Sequence, residues 1–311
     1  MAERVLILGG AGFIGAHLAA RHARAGDEVH IGVRSGWVRP TRDFLPEVSP
    51  HLVDLGEIEQ IEDLLASARP TLVYHLATGT GHESGSPACP YDEGWLTDLR
   101  NLVRIADVVR RYRPEIKAFV RTGSLAAYRS AVTPSVEDEQ EDPPTLYGLG
   151  LAMSSHYLRF IARDLPFRAV TARLGLTYGI GQRENFLVPG LIRACLAKEP
   201  YHVLNPSARR DMIHVDDVTR GLVALGRSDL PGNTVVNLCS GVAYSTRRIA
   251  ETIWEIAGAD PRLLTFGPEQ TNPSVIWGST AKARELIGFS AKHAFTDGIE
   301  RTLRTMMARS S

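Results

Sequence analysis

Lysine, cysteine and long apolar runs are all scarce in this 311-residue chain. The three cysteines, Cys89, Cys195 and Cys239, are widely spaced and odd in number. They form neither a disulfide framework nor a metal-ligand cluster, so buried thiols are expected and no metal site is. No apolar run approaches the length needed to cross a bilayer. An apolar strand begins four residues into the chain, which argues against a secretory leader and makes the cytoplasm the expected compartment. Neither sign of charge is in excess, since 35 basic residues balance 35 acidic ones. Nucleic acid and membrane surfaces are therefore not expected as partners. The only lysines are Lys117, Lys198, Lys282 and Lys292.

What the chain does contain is concentrated in its first 36 residues. Val5 to Leu8 is a continuous apolar run, too short for a helix and bounded by glycine, as a central parallel strand should be. A helix of about 12–25 and a strand at 28–33 follow. The turn between the first strand and this helix reads Gly9-Gly-Ala-Gly12-Phe13-Ile14-Gly15. Glycines at these positions permit a tight turn, a close approach of backbone N–H groups to a pyrophosphate, and close packing of helix on strand. The strand–glycine turn–helix–strand context favours dinucleotide binding over an ordinary turn.

Further strands read at 51–53, 72–76, 116–122 and 167–173, with helices near 57–68, 92–112, 146–164 and 186–198. This alternation predicts an α/β, Rossmann-type, doubly wound parallel sheet. Residues 1–174 form the expected dinucleotide-binding domain. Residues 175–311 form a mainly substrate-binding lobe, with helices near 215–226, 245–257, 279–287 and 296–308 and some segments returning to the sheet. Loops 78–91 and 129–145 follow strands, and ligands bind at that edge of such a sheet.

Taken together, these motifs resemble the extended short-chain dehydrogenase/reductase family of nucleotide-sugar epimerases, dehydratases and 4-ketoreductases. The likeness runs over nearly the whole chain. It implies that Asp54-Leu55 contacts adenine and that His75-Leu76-Ala77 lies beside the cofactor phosphates and ribose, with Thr78 next along toward the substrate. Ser124, at the end of the fifth strand, and Tyr147, opening a helix, occupy the catalytic positions. Arg173-Leu-Gly-Leu176-Thr-Tyr178-Gly179, Asn185-Phe186, Arg210-Asp-Met-Ile-His-Val-Asp216-Asp217, Asn237-Leu-Cys-Ser-Gly241 and Ala281-Lys-Ala-Arg-Glu-Leu-Ile-Gly288 match the later landmarks. Leu176, Asn185, Phe186 and Arg210 become substrate-lobe candidates, and helices 92–112 and 146–164 resemble the pair that forms a homodimer interface. Chemically, ketone reduction needs a proton donor for the developing alkoxide and a hydroxyl to hold the carbonyl oxygen, roles that suit Tyr147 and Ser124.

The departures are equally informative. The family pattern is Tyr-x-x-x-Lys, whereas this chain has Tyr147-Gly-Leu-Gly-Leu151. The family lysine holds the nicotinamide ribose and lowers the tyrosine pKa, and no lysine here is close in sequence. Tyr147 is therefore expected to stay near its ordinary value of about 10, a usable acid and a poor base. That favours reduction over epimerisation. Leu125-Ala126 after Ser124 replace the acidic residues of dehydratases. Leu176 replaces a family Asn, and the stretch to Trp277 lacks a family Arg, so the diphosphate clamp is partial. The alternative for Arg210 is a structural salt bridge to a carboxylate. At the end of the second strand stands Val33-Arg34-Ser35 with no acid before Asp43, which favours NADP(H) over NAD(H). The expectation is an NADPH-dependent ketoreductase for a nucleotide-linked 4-keto-6-deoxy sugar. Alternatives are a ketoreductase for a polycyclic natural-product ketone, a degenerate NADP-binding sensor or scaffold, and a nucleotide-sugar epimerase.

Overall fold

The computed structural model describes residues 2–36, 47–78, 94–111 and 115–310. Cys89, most of the loop 78–91 and the ends of the helix expected at 92–112 fall outside them. In chain order the elements are β1 (Arg4–Leu8), α1 (Phe13–Arg24), β2 (Glu28–Val33), β3 (Ser49–Leu52), α2 (Ile58–Ala68), β4 (Leu72–His75), α3 (Gly94–Arg111) and β5 (Ala118–Ser124). They continue with α4 (Leu146–Ile161), β6 (Arg168–Leu174), β7 (Leu176–Tyr178), α5 (Leu187–Ala197), β8 (Tyr201–Val203), β9 (Arg209–His214) and α6 (Val215–Arg227). The last are β10 (Thr234–Leu238), β11 (Ala243–Ser245), α7 (Thr246–Ile256), β12 (Leu264–Phe266), β13 (Val275–Ile276), α8 (Ala281–Ile287) and α9 (Phe295–Ser310). Among the described residues no helix is long and apolar enough to cross a membrane.

Two compact units share the chain. The first comprises residues 1–127, 140–173 and 219–236, and the second 128–139, 174–218 and 237–311. The chain thus crosses between units several times, where the sequence suggests one main boundary near 174. Part of the loop expected beside the sheet, 128–139, clusters with the second unit, tied there by Ser135 bridging to Gly278. Residues 219–236 join the first.

The first unit is a seven-stranded Rossmann-type sheet in the order β10-β6-β5-β4-β1-β2-β3. β1 pairs in parallel with β2 and β4, β2 with β3, and β4 with β5. Its central strands are the uninterrupted apolar runs of the sequence, with Val5 to Leu8 at most 1% exposed. One core joins Leu6, Leu8, Val73 and Phe119 of the strands to Ile61, Leu64 and Leu65 of α2, Ile105 and Val109 of α3, and Leu158 of α4. Each such fully buried side chain contributes about 1.5–3 kcal/mol. Strand order reverses between β1 and β4, and that reversal is where ligands sit in doubly wound sheets.

The second unit is built on β9, which pairs with β11, β13 and β7. A two-stranded β8–β12 ribbon and helices α5, α7 and α9 enclose its core around Tyr178, Leu191, Ile253 and Ile299. Short strands are expected after about residue 175, but the sequence sets no bounds for them. Two to three residues are too few to show a period.

Candidate active site

The turn after β1 is shaped by backbone contact. Gly9 has φ +83°, and a Cβ there would lie 2.8 Å from the amide N of Ala77. A Cβ on Gly15 would lie 2.2 Å from the Gly9 carbonyl O, so only glycine lets α1 seat against this turn. The loops after β1 and β4 therefore meet at the reversal point, bringing Gly9, Gly12 and Gly15 together with Leu76 and Ala77. Gly12 is the N-cap of α1 and supplies no side-chain cap. A helix N-terminus opening from a backbone-lined turn fits a dinucleotide pyrophosphate. Phe13 and Ile14 occupy the first turn of α1, half-buried. Arg34 and Ser35 are exposed just past β2. The Asp54 carboxylate accepts the Gly56 N–H at 2.8 Å, a turn beside half-buried Leu55. Thr78 is half-buried, its N–H donated to the Leu76 carbonyl.

The candidate catalytic pair is assembled by β5 and α4. Ser124 ends β5, and its Oγ accepts the Ala126 N–H at 3.1 Å. Thr145 caps α4 by accepting the Gly148 N–H at 3.1 Å. A Cβ on Gly148 would lie 2.3 Å from the Ala126 carbonyl O, so α4 rests directly on the turn that follows Ser124. This contact sets the half-buried Tyr147 against Ser124, and the two hydroxyls are hydrogen-bonded. Leu151, one turn on, is 4% exposed and packs with Ala127, Ala152 and Tyr147. The helical spacing of 147 and 151 is thus realised with an apolar contact where the family has a cation.

The expectation that Tyr147 stays near its ordinary value is corrected. Arg121, three residues before Ser124 on β5, acts on the phenol electrostatically. Burial pushes the Tyr147 pKa up, the Arg121 charge works downward, Asp98 of α3 adds to the rise and the Ser124 hydrogen bond opposes it. The net direction is above the ordinary value, so the phenol is held protonated. Arg121 itself is 1% exposed, and burial pushes it down to about 10. His75, its register partner on β4, is pushed down to about 3 by burial and by Arg121. Arg121 is not a lysine and lies on another element far from Tyr147 in sequence, so spacing does not point to it. Its signal was an arginine in the apolar run Ala118-Phe-Val-Arg121.

In the second unit Arg210 lies on β9, half-buried, with Nη1 donating to the carbonyls of Arg209 and Ser274 at 2.8 and 3.0 Å. Burial lowers its pKa, and no carboxylate among the described residues acts on it. The salt-bridge alternative is not what holds it. Leu176 pairs in register with Met212, two residues from Arg210, and packs on the unit's core. Trp277 follows Ile276, the register partner of Arg210. Phe186 is the N-cap residue of α5, half-buried, beside exposed Asn185.

Other motif residues prove architectural. The Asp211 carboxylate accepts both the N–H and the hydroxyl of Ser240, each at 2.7 Å. Asn237 is fully buried, taking a hydrogen bond from Tyr128 and donating to the Ser135 carbonyl. His214, Asp216 and His293 approach one another at ligand spacing. Their atoms are already engaged, with Asp216 paired to Arg301 at 3.3 Å and His293 Nδ1 bonded to Asp217 at 2.9 Å.

A family model described as the NAD dependent epimerase/dehydratase family matches residues 5–239. The chain belongs to that family. Among its relatives is the dTDP-4-dehydro-6-deoxyglucose reductase of Escherichia coli, 26% identical, with 98% of each chain covered. A protein of Bacillus subtilis described as an uncharacterized UDP-glucose epimerase is 24% identical over 95% of each. The UDP-glucose 4-epimerase of Thermotoga maritima superposes with a TM-score of 0.87 at 22% identity, covering 99% of each chain, which fixes the fold. As a member of this epimerase/dehydratase family the protein is an oxidoreductase dependent on a nicotinamide cofactor.

Proposed function

We propose that this protein is an NADPH-dependent ketoreductase acting on a nucleotide-linked 4-keto-6-deoxy sugar. The observation that carries the reading is the Ser124–Tyr147 pair with its phenol held protonated by burial, beside an apolar Leu151. Such a phenol is a proton donor and a weak base. When bound, the nicotinamide cofactor supplies the hydride. The Ser124 hydroxyl holds the carbonyl oxygen, and Tyr147 delivers the proton to it as negative charge develops there. Gly9, Gly12 and Gly15 hold the pyrophosphate against the α1 N-terminus, with Leu76 and Ala77 lining the same turn. Asp54 and Leu55 lie toward adenine. The exposed Arg34 and Ser35 take the ribose 2′-phosphate, a charge-assisted contact that favours NADP(H) by about 1–2 kcal/mol.

In the second unit, Arg210 has no opposing carboxylate among the described residues and offers its charge to a diphosphate, with Asn185 as a hydrogen-bonding partner. Leu176 and Phe186 are this unit's candidates for contact with the sugar. The relative named as a dTDP-4-dehydro-6-deoxyglucose reductase supports this substrate class. Leu149, Met153 and Phe160, spaced along α4, and Val103 of α3 expose apolar surface. That surface suits a second copy of the chain, and a monomer in sedimentation velocity would count against the dimer.

The test is NADPH oxidation against a panel of dTDP-, CDP-, GDP- and UDP-linked 4-keto-6-deoxyhexoses. Turnover is expected with at least one and is expected to fail in Tyr147→Phe. Arg34→Ala is expected to remove most of the preference for NADP(H), whereas equal affinities in the parent would sink that assignment.

A further inference from the structure

Arg121 stands where a central parallel strand ordinarily carries an apolar side chain. It pairs in register with His75 and is almost fully buried. A Cβ on Gly123 would lie 3.6 Å from Nη1, so the guanidinium lies along β5 over Gly123, on the same face of the strand. Its Nε and Nη1 have no hydrogen-bond partner among the described residues, and neither ring nitrogen of His75 has one. A buried guanidinium is costly unless its charge meets an opposing or polar group. The groups that act on it are Tyr147, Asp98 and Arg173. Arg173 is paired with Glu141, and His75 is held neutral. Asp98 and the Tyr147 phenol are the groups that favour its charge.

We propose that Arg121 is the cation serving the Tyr147 phenol, supplying from β5 the charge that apolar Leu151 does not supply from α4. The proposal rests on the reading of Tyr147 as proton donor. During reduction the ketone carbon accepts a hydride and the C=O π pair moves onto oxygen. The phenol O–H bond breaks, and its proton goes to that oxygen. The phenolate left behind is stabilised by Arg121 in surroundings of low dielectric, then regains a proton from solvent. The Asp98 charge favours the charged guanidinium and disfavours the phenolate, so the proton stays on Tyr147 until a developing alkoxide draws it off.

The experiment reads the phenol directly. The protein is labelled with 13C at tyrosine Cζ, and Tyr147→Phe assigns the Tyr147 resonance. Arg121→Met is expected to move that titration up by about one pH unit or more. It is also expected to lower kcat about ten- to a hundredfold with little change in ketone KM, and to shift the alkaline limb of the rate profile upward. Arg121→Lys keeps the charge and is expected to keep the titration near the parent's. The double variant Arg121→Met/Leu151→Lys returns a cation from the helix and is expected to bring the titration back down. If Arg121→Met does not fold, Arg121→Gln carries the same comparison. An unchanged Tyr147 titration in the apolar or neutral variant overturns the proposal and leaves the proton-donor reading standing. Unchanged kcat in Tyr147→Phe overturns that reading, and this proposal with it.

Discussion

The phenol of Tyr147 sits between two side chains of opposite character, Arg121 on the strand and Leu151 on its own helix. Leu151 is packed among Ala127, Ala152 and Tyr147, so a charge placed there would be desolvated beside an existing cation. Leu151→Lys is expected to cost several kcal/mol, about 2–5, or to leave the new amine neutral. Reduction should fall or stay level, as read by kcat/KM with NADPH. A tenfold or greater gain, worth about 1.4 kcal/mol in the barrier, would mean the site is a degenerate one awaiting its lysine. Ser124 and Tyr147 were legible because a strand end and a helix start carry them at recognisable places in the motif order. Arg121 was not, because its meaning depends on β4 and α3 beside it, and neighbours across a sheet leave no spacing in the sequence.

The elements that hold this pair are fastened by polar links as much as by apolar packing. Glu141, just before α4, pairs with the fully buried Arg173 of β6 and lies 3.3 Å from His156 on α4 itself. Removing the carboxylate takes from that buried guanidinium the counter-charge Glu141 supplies. Glu141→Gln is expected to destabilise the protein by about 3–5 kcal/mol, seen as a large fall in Tm or denaturant midpoint. A change within about 0.5 kcal/mol would show that the pair contributes little. The long helices α3 and α4 and the apolar run of β1 stand in the structure within a few residues of their sequence-derived bounds. The short strands β7, β8 and β11–β13 do not, since pairing partners far along the chain define them.

For the molecule as a whole, three buried histidines set an acid limit. His22, His75 and His214 are each held below the ordinary imidazole value, first of all by burial. The unfolded chain takes up these protons near pH 6.5 while the fold resists, so stability is full above that pH and falls below it. Each histidine contributes a slope of up to about 1.4 kcal/mol per pH unit. For His75 the window extends down to about 3, and for His214 to about 4. Tm is therefore expected to be level above pH 7 and to drop between 6.5 and 4, with a shallower drop in His75→Leu. A flat Tm across that range would contradict the burial of these rings. The doubly wound sheet was legible from strand–helix alternation, and segments after 174 returning to it were expected without bounds, but the clustering of 128–139 with the second unit was not. That segment is assigned by contacts such as Ser135 with Gly278, remote in sequence.

The most direct test of the account is to follow deuterium from C4-labelled NADPH during turnover of a nucleotide-linked 4-keto-6-deoxyhexose. The protein is expected to transfer the label to C4 of the sugar with one NADP+ formed per product, and to leave UDP-glucose unepimerised. Interconversion of UDP-glucose and UDP-galactose without net cofactor consumption would contradict it.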